Sequence, residues 1–210
     1  QADLVRDDFN RRISAIDEIS ANSAIFVNST LLLDGDEFRI FAEHIFNRYS
    51  FFVSMGYFPR VFAGERASFE QERRDKGFPL FSITSRSGPI FKSAPALASH
   101  FPLLYYEPFE PTNAALIGYD LAGDTVFSGV VDKAVMKNEA VFAYDSLLTL
   151  PGSLWCFKAV YAGKNVPEAP ELRRNTAYGV IALRIDTLKL VESLEGVDTF
   201  LLNLQIESES

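Results

Sequence analysis

Catalysis by side chains needs a nucleophile beside a base, a metal cage or a backbone cradle for phosphate. This sequence offers few of the parts. It has two histidines, His44 and His100, and one cysteine, Cys156. No His-Glu-x-x-His pair or clustered Cys/His spacing marks a zinc site. No Gly-x-Ser-x-Gly elbow marks a nucleophile, and neither the Gly-x-Gly-x-x-Gly nor the Walker loop is present. Carboxylates are plentiful, so composition alone does not dismiss a glycosidase-like pair. Cys156 lies in the apolar run SLWCFKAVY, where a small buried hydrophobe is expected in place of a reactive thiol. The expectation is a chain with no catalytic residue, no metal ligand and no cofactor.

The formal net charge is −8 over 210 residues, a surface that repels phosphate backbones, so nucleic acid is not an expected partner. Apolar residues make up 48% and charged residues 23%, which suits a well-developed core. The 19 phenylalanines and 8 tyrosines fit an aromatic core or an aromatic-lined pocket. No apolar run approaches the ~20 residues of a bilayer span, and the opening QADLVRDDFNRR is not a signal peptide. A soluble fragment is expected, cut from a longer protein inside a helical pattern.

The elements that must position any site begin with one long helix over residues 3–33. Val5, Phe9, Ile13, Ile16 and Ile19 follow three- and four-residue spacing, and no Gly or Pro intervenes before Gly35. At ~1.5 Å per residue it would be roughly 45 Å long, the length of a stalk or dimer seam. Asn28 opens an Asn-Ser-Thr sequon inside it. Asp34 and Glu37 have capping-box spacing for a second helix, with Phe38, Phe41, Ile45 and Phe46 as its apolar stripe, running on toward Pro59. Beyond residue 77 short apolar runs alternate with turn residues: LFSI, LLYYEPF, AALIGYD, AVFAY, SLWCFKAVYA, YGVIALRI and TFLLNLQI. Helical stretches at 123–137 and 186–195 interrupt them, and 162–175 reads as a hairpin loop. Strand runs with isolated helices predict an antiparallel α+β fold.

The stretch YFPRVFAGERASFE resembles a pattern of the CHASE domains: aromatic-x-Pro-Arg-Val, then Glu-Arg, then Phe-Glu. The resemblance continues in order through LYYEPFEPTNAALIGYDLAGD, KAVMKNEAVFA, and WCFKAVYAGKNVP with AYGVIALRIDTLKLVESL. It covers essentially the whole chain. Tyr57 departs from it, standing where the family usually has tryptophan. In physical terms Pro59 fixes its own φ and stops the preceding helix. Arg60 offers a planar fork to a carboxylate such as Glu65, Glu70 or Glu107. Pro59, Arg60, Glu65, Arg66, Phe69 and Glu70 are therefore expected to be a fold signature.

The resemblance implies an α+β chain: a long N-terminal stalk helix followed by two PAS-like antiparallel-sheet subdomains. Residues 1–56 would be the stalk and second helix, 57–160 the distal ligand-binding part, and 161–210 a contribution to the membrane-proximal part. It implies a periplasmic or extracellular sensor of a small molecule, amine, purine-like or amino acid-like, within a histidine kinase or diguanylate cyclase receptor. Transmembrane helices would flank the fragment. Separately, the apolar seam of Phe9, Ile13 and Ile16 predicts a parallel homodimer through the N-terminal helix. In plant cytokinin receptors of the family an aspartate at the place of Asp120 accepts hydrogen bonds from the adenine edge. Asp120 is thus a candidate ligand residue, with capping of the following helix as its alternative role. Phe142 and Thr149 fall near family contact positions, and Tyr105 and Trp155 are expected beside them. A domain that binds a partner protein, or only dimerises, with its pocket filled by side chains, is the alternative function.

Overall fold

The computed structural model describes residues 2–30, 33–87, 90–144, 153–163 and 166–194. The chain runs through α1 (Ala2–Ser29), α2 (Gly35–Arg48), β1 (Phe52–Pro59), β2 (Val61–Phe62) and α3 (Arg66–Asp75). Next come β3 (Thr84–Ser87), β4 (Ile90–Ser93), β5 (Ser99–His100) and β6 (Tyr105–Glu107). It finishes through α4 (Phe127–Lys137), β7 (Val141–Tyr144), β8 (Ser153–Tyr161), α5 (Pro170–Thr176), β9 (Ala177–Asp186) and α6 (Thr187–Glu192). Short 3-10 turns occupy Pro111–Leu116 and Leu121–Gly123.

Five strands form one antiparallel sheet in the order β6-β1-β9-β8-β7. Because side chains alternate across a strand, the sheet separates two cores. Met55 and Tyr57 of β1, Cys156 and Val160 of β8, and Ile181, Leu183 and Ile185 of β9 face α1 and α2. Phe58, Trp155, Phe157, Val180 and Ala182 face α4, which contributes Phe127, Val131, Ala134 and Val135. A third, small core of Val61, Phe81, Ile83 and Ala94 lies beside Phe69 of α3.

α1 is amphipathic for a local reason. Ile16, Ile19, Ala24 and Val27 are buried in the first core together with Ser20 and Ser23. The small serines leave little bulk on that face, and their hydroxyls donate back to the Asp17 and Ile19 carbonyls. Ile16 is fully buried and Ile13 packs against the same core, so those two members of the expected dimer seam are used inside the domain. Phe9 is 40% exposed.

Several expectations change. The second helix ends at Arg48, and the residues read as its continuation form β1, whose end Pro59 marks. β1 is buried on both faces and so shows no period-two alternation, which made its apolar run readable as helix. Residues 80–83 lie outside any strand, although Phe81 and Ile83 are buried. In AALIGYD only Tyr119 and Asp120 make bridges, to Thr84 and Pro102. The 162–175 loop carries the start of α5. Among the described residues the antiparallel structure is one five-stranded sheet plus two two-stranded ribbons, β2-β5 and β3-β4. The α+β class stands, and the expected strand at 199–206 lies outside the described residues. No helix among them is long and apolar enough to cross a membrane.

Docking of α1 on its own sheet has a direct test. Ile16→Ala should cost about 2 to 5 kcal/mol in denaturant unfolding. Phe9→Ala should cost less than about 1 kcal/mol. Equal small losses would mean that α1 is a free stalk along its length.

Candidate functional site

Beneath α4 the second core is incompletely filled. A cavity of about 20 Å³ is bounded by Phe58 of β1, Tyr106 of β6, Trp155 and Phe157 of β8, and Phe127 of α4. Leu103, Leu116, Tyr119 and Leu121, from the segments around the 3-10 turns, close it. Such a volume holds about one water, and its surface is wholly apolar. The Tyr119 hydroxyl is turned away to Asp124. Trp155 is 5% exposed, and its buried Nε1–H has no hydrogen-bond partner among the described residues.

The Gly118-Tyr119-Asp120 turn builds one side of this cavity. Gly118 has φ +91°, and a Cβ there would stand 2.2 Å from the Ser82 carbonyl oxygen, so only glycine fits. Tyr119 then lines the cavity, and its hydroxyl holds Asp124. The other Asp124 oxygen accepts from the backbone N–H groups of Val126 (2.7 Å) and Phe127 (2.9 Å), capping α4. Asp120, one residue on, is fully buried and does not border the cavity. Its Oδ1 accepts from Phe101 N at 2.7 Å and Ala122 N at 3.1 Å, as N-cap of the 3-10 turn. Its Oδ2 accepts from His100 Nδ1 at 2.7 Å. The carboxylate is thus engaged by three protein groups.

The other candidates separate. Trp155 lines the cavity. Tyr105 lies across the sheet from it, with its hydroxyl donating to Leu33 O at 2.9 Å; its neighbour Tyr106 faces the cavity. Phe142 sits on the edge strand β7, 36% exposed, and Thr149 lies outside the described residues. Sequence reasoning missed Phe58, Tyr106, Phe127 and Phe157; the odd-numbered alternation Trp155-Phe157-Ala159-Tyr161 is the signal that could have found the last of these.

The arginines of the signature bond within the fold. Arg60 pairs with no carboxylate among the described residues. Its Nη1 donates to the Arg174 and Ala177 carbonyls, and its guanidinium lies 4.7 Å from the Phe62 ring centroid. Burial lowers its pKa, with Arg174 adding to the effect. Arg66 takes the carboxylate instead, Nε to Glu70 Oε1 at 3.0 Å, and also donates to the Ile83 and Ala94 carbonyls. Glu70 accepts from Ile83 N at 2.9 Å, and Glu65 from Phe62 N at 3.2 Å. Phe69 meets Phe81 edge-on. His44 is exposed, Cys156 is fully buried with its thiol pushed up to about 12 by burial, and no cluster of three or more metal-ligating residues occurs among the described residues.

These bonds tie Asp120 into the fold. Asp120→Ala leaves the buried Phe101 N–H and His100 Nδ1 without their acceptor and should cost roughly 2 to 4 kcal/mol in thermal or denaturant unfolding. A melting curve equal to that of the unchanged protein would refute this.

A family model described as CHASE domain matches residues 32–209, a span that takes in the whole sheet, the cavity and the Gly118-Tyr119-Asp120 turn. The comparison with curated proteins gives no match. CHASE domains are extracytoplasmic sensor modules of signalling receptors and are not themselves catalysts. With a match over most of its length, the chain belongs to the CHASE-domain family.

Proposed function

We propose that the chain senses a small molecule in the cavity beneath α4 and passes binding mechanically to α1 and the chain following β9. The observation that carries this is the incompletely filled cavity itself, walled by the rings of Phe58, Tyr106, Tyr119, Phe127, Trp155 and Phe157. With the Asp120 carboxylate engaged within the fold, such a wall favours a flat, largely apolar ligand, purine-like sooner than a simple amine. About 20 Å³ admits no such molecule, so binding requires α4 or the 111–123 segment to shift.

α4 is connected to α1 for this purpose. Lys158 Nζ donates to the carbonyl of Asn138, the left-handed C-cap of α4, at 2.7 Å, and stands 3.7 Å from Asp17 Oδ1 on α1. Asp17 Oδ1 also accepts from Ala140 N at 3.3 Å. A displaced α4 therefore pulls on α1. In the receptor this would drive a kinase or cyclase output domain across the membrane. The proposed homodimer would use the outward stripe of α1, where Leu4 and Ile25 are apolar but Asp7, Arg11, Ser14 and Glu18 are polar, so pairing of the isolated domain is weak. The cavity-bearing sheet supports a PAS-like reading of this part of the chain. The near-complete filling of the cavity favours the second reading, a partner-binding or dimerisation module without a ligand.

A thermal-shift screen of purines, amines and amino acids separates the two. A ligand at 100 times its Kd should add about 2.7 kcal/mol. Leu116→Trp, which places a larger ring at the half-buried margin of the cavity, should abolish that shift. No shift with any compound, or an unchanged shift in the variant, would remove the cavity from consideration.

A further inference from the structure

Across the sheet from the cavity, past the C-terminal end of α1, lies an open groove of about 880 Å³. Three tyrosines, Tyr57 of β1, Tyr105 of β6 and Tyr178 of β9, line it beside Arg73 and Lys76 of α3. The Tyr57 and Tyr105 rings stack with centroids 6.5 Å apart. Tyr105 donates to Leu33 O, and Tyr178 donates to Asn28 Oδ1 at 3.3 Å. Tyr57 differs. It is 6% exposed, borders the groove, and its hydroxyl makes no hydrogen bond among the described residues. The chain makes room for it: a Cβ on Gly179 would stand 2.7 Å from Tyr57 Cε2 and 3.0 Å from its hydroxyl oxygen.

Arg73 supplies a second unpartnered donor. Its Nη2 donates to Glu72 Oε1 at 2.6 Å, but its Nε is buried with no partner. Lys76 Nζ shares the same Glu72 oxygen at 2.8 Å. One carboxylate thus serves two cations on the α3 wall. Asp34, also at the groove, is the N-cap of α2 through Glu37 N and keeps its charge, so the lining balances two cations with two carboxylates. Burial, reinforced by the neighbouring tyrosines, raises the Tyr57 pKa; burial also raises Tyr105 and carries Tyr178 up to about 12. All three hydroxyls are therefore protonated at neutral pH and act as donors.

We propose that this groove is a second small-molecule site, one that takes a small organic carboxylate with an apolar or aromatic body. The carboxylate is read by the Tyr57 hydroxyl and the Arg73 guanidinium, whose residues both border the groove, and the body lies along the Tyr105 and Tyr178 rings. A carboxylate is acceptor-only and matches an unpartnered hydroxyl donor beside the two cations of α3. Val27, Asn28 and Thr30 also line the groove, so the occupant touches α1 directly, without the α4 route.

The test titrates the protein with phenylacetate and hexanoate, using 2-phenylethylamine and hexylamine as charge-reversed controls, by calorimetry and ligand-observed NMR. The carboxylates should bind and the amines should not. Tyr57→Phe keeps the ring and removes a hydroxyl with no partner among the described residues, so its melting temperature should not fall. Its carboxylate affinity should drop about tenfold or more, as should that of Arg73→Gln. Leu116→Trp, at the cavity on the opposite face, should leave carboxylate binding unchanged, which separates this site from the first. The proposal is overturned if neither carboxylate binds at millimolar concentration, if the amines bind equally well, or if Tyr57→Phe binds as tightly as the unchanged protein.

Discussion

The middle of strand β9 has no wet face, and the rest of the described fold answers to that. Ile181, Leu183 and Ile185 point one way, Val180 and Ala182 the other, and all five are fully buried. A sheet whose centre is apolar on both sides must be covered twice. α1 and α2 supply one cover and α4 the other. The two covers cannot touch through the sheet, so communication between them has to go around or across its edge. Lys158 is the visible case. It sits among apolar neighbours on the α1 side, and its ammonium finds the Asn138 carbonyl and Asp17. A buried lysine needs such partners, and here they belong to opposite layers.

α4 is held as a unit by the groups at its two ends. At the start, Asp124 caps the helix and is itself held by Tyr119, whose ring borders the cavity. At the end, the orphan carbonyls of the last turn are taken by Tyr161 Oη on Val135 (2.6 Å), Arg173 Nη1 on Met136 (2.8 Å) and Lys158 on Asn138. Cations at a helix C-terminus also complement its dipole. A helix tied by side chains at its termini, with Phe127 resting on an imperfectly filled core, can shift as a rigid body more cheaply than it can unravel.

What the sequence made legible was local. The Asp34–Glu37 capping box exists with both halves formed, because it needs only four consecutive residues. The apolar face of α1, the burial of Cys156 and the strands β8 and β9 follow from periodicity and run length. What it hid was relational. β1 carries apolar residues on both faces and therefore no alternation to separate strand from helix. Tyr105 and Tyr106 are adjacent, and only the register of β6 on β1 sends the second to the cavity and the first to the groove. Arginine so often takes a carboxylate that the sequence suggests one for Arg60. The sheet instead brings it to carbonyls more than a hundred residues away. His100 meets Asp120 for the same kind of reason, by way of the bridge between Pro102 and Asp120.

A nearly filled cavity has a consequence for any sensor built on it. If the arrangement that admits ligand is a minor one, the apparent affinity is the intrinsic affinity reduced by the fraction open. The interactions that set that fraction are the ones that hold α4 down: the Tyr119–Asp124 bond, the Phe127 packing and the carbonyl contacts of its last turn. The ligand does not need to be strained or unusually tight to transmit a signal. It needs only to bind the shifted α4 better than the docked one, since a ligand of equal affinity for both moves nothing. The groove across the sheet works under no such restriction, being open as it stands. Its occupant would act through contacts with the end of α1. If both are occupied as proposed, the two faces of one sheet would serve two different kinds of control, a cavity whose response is set by an opening equilibrium and a groove whose response is set by direct contact.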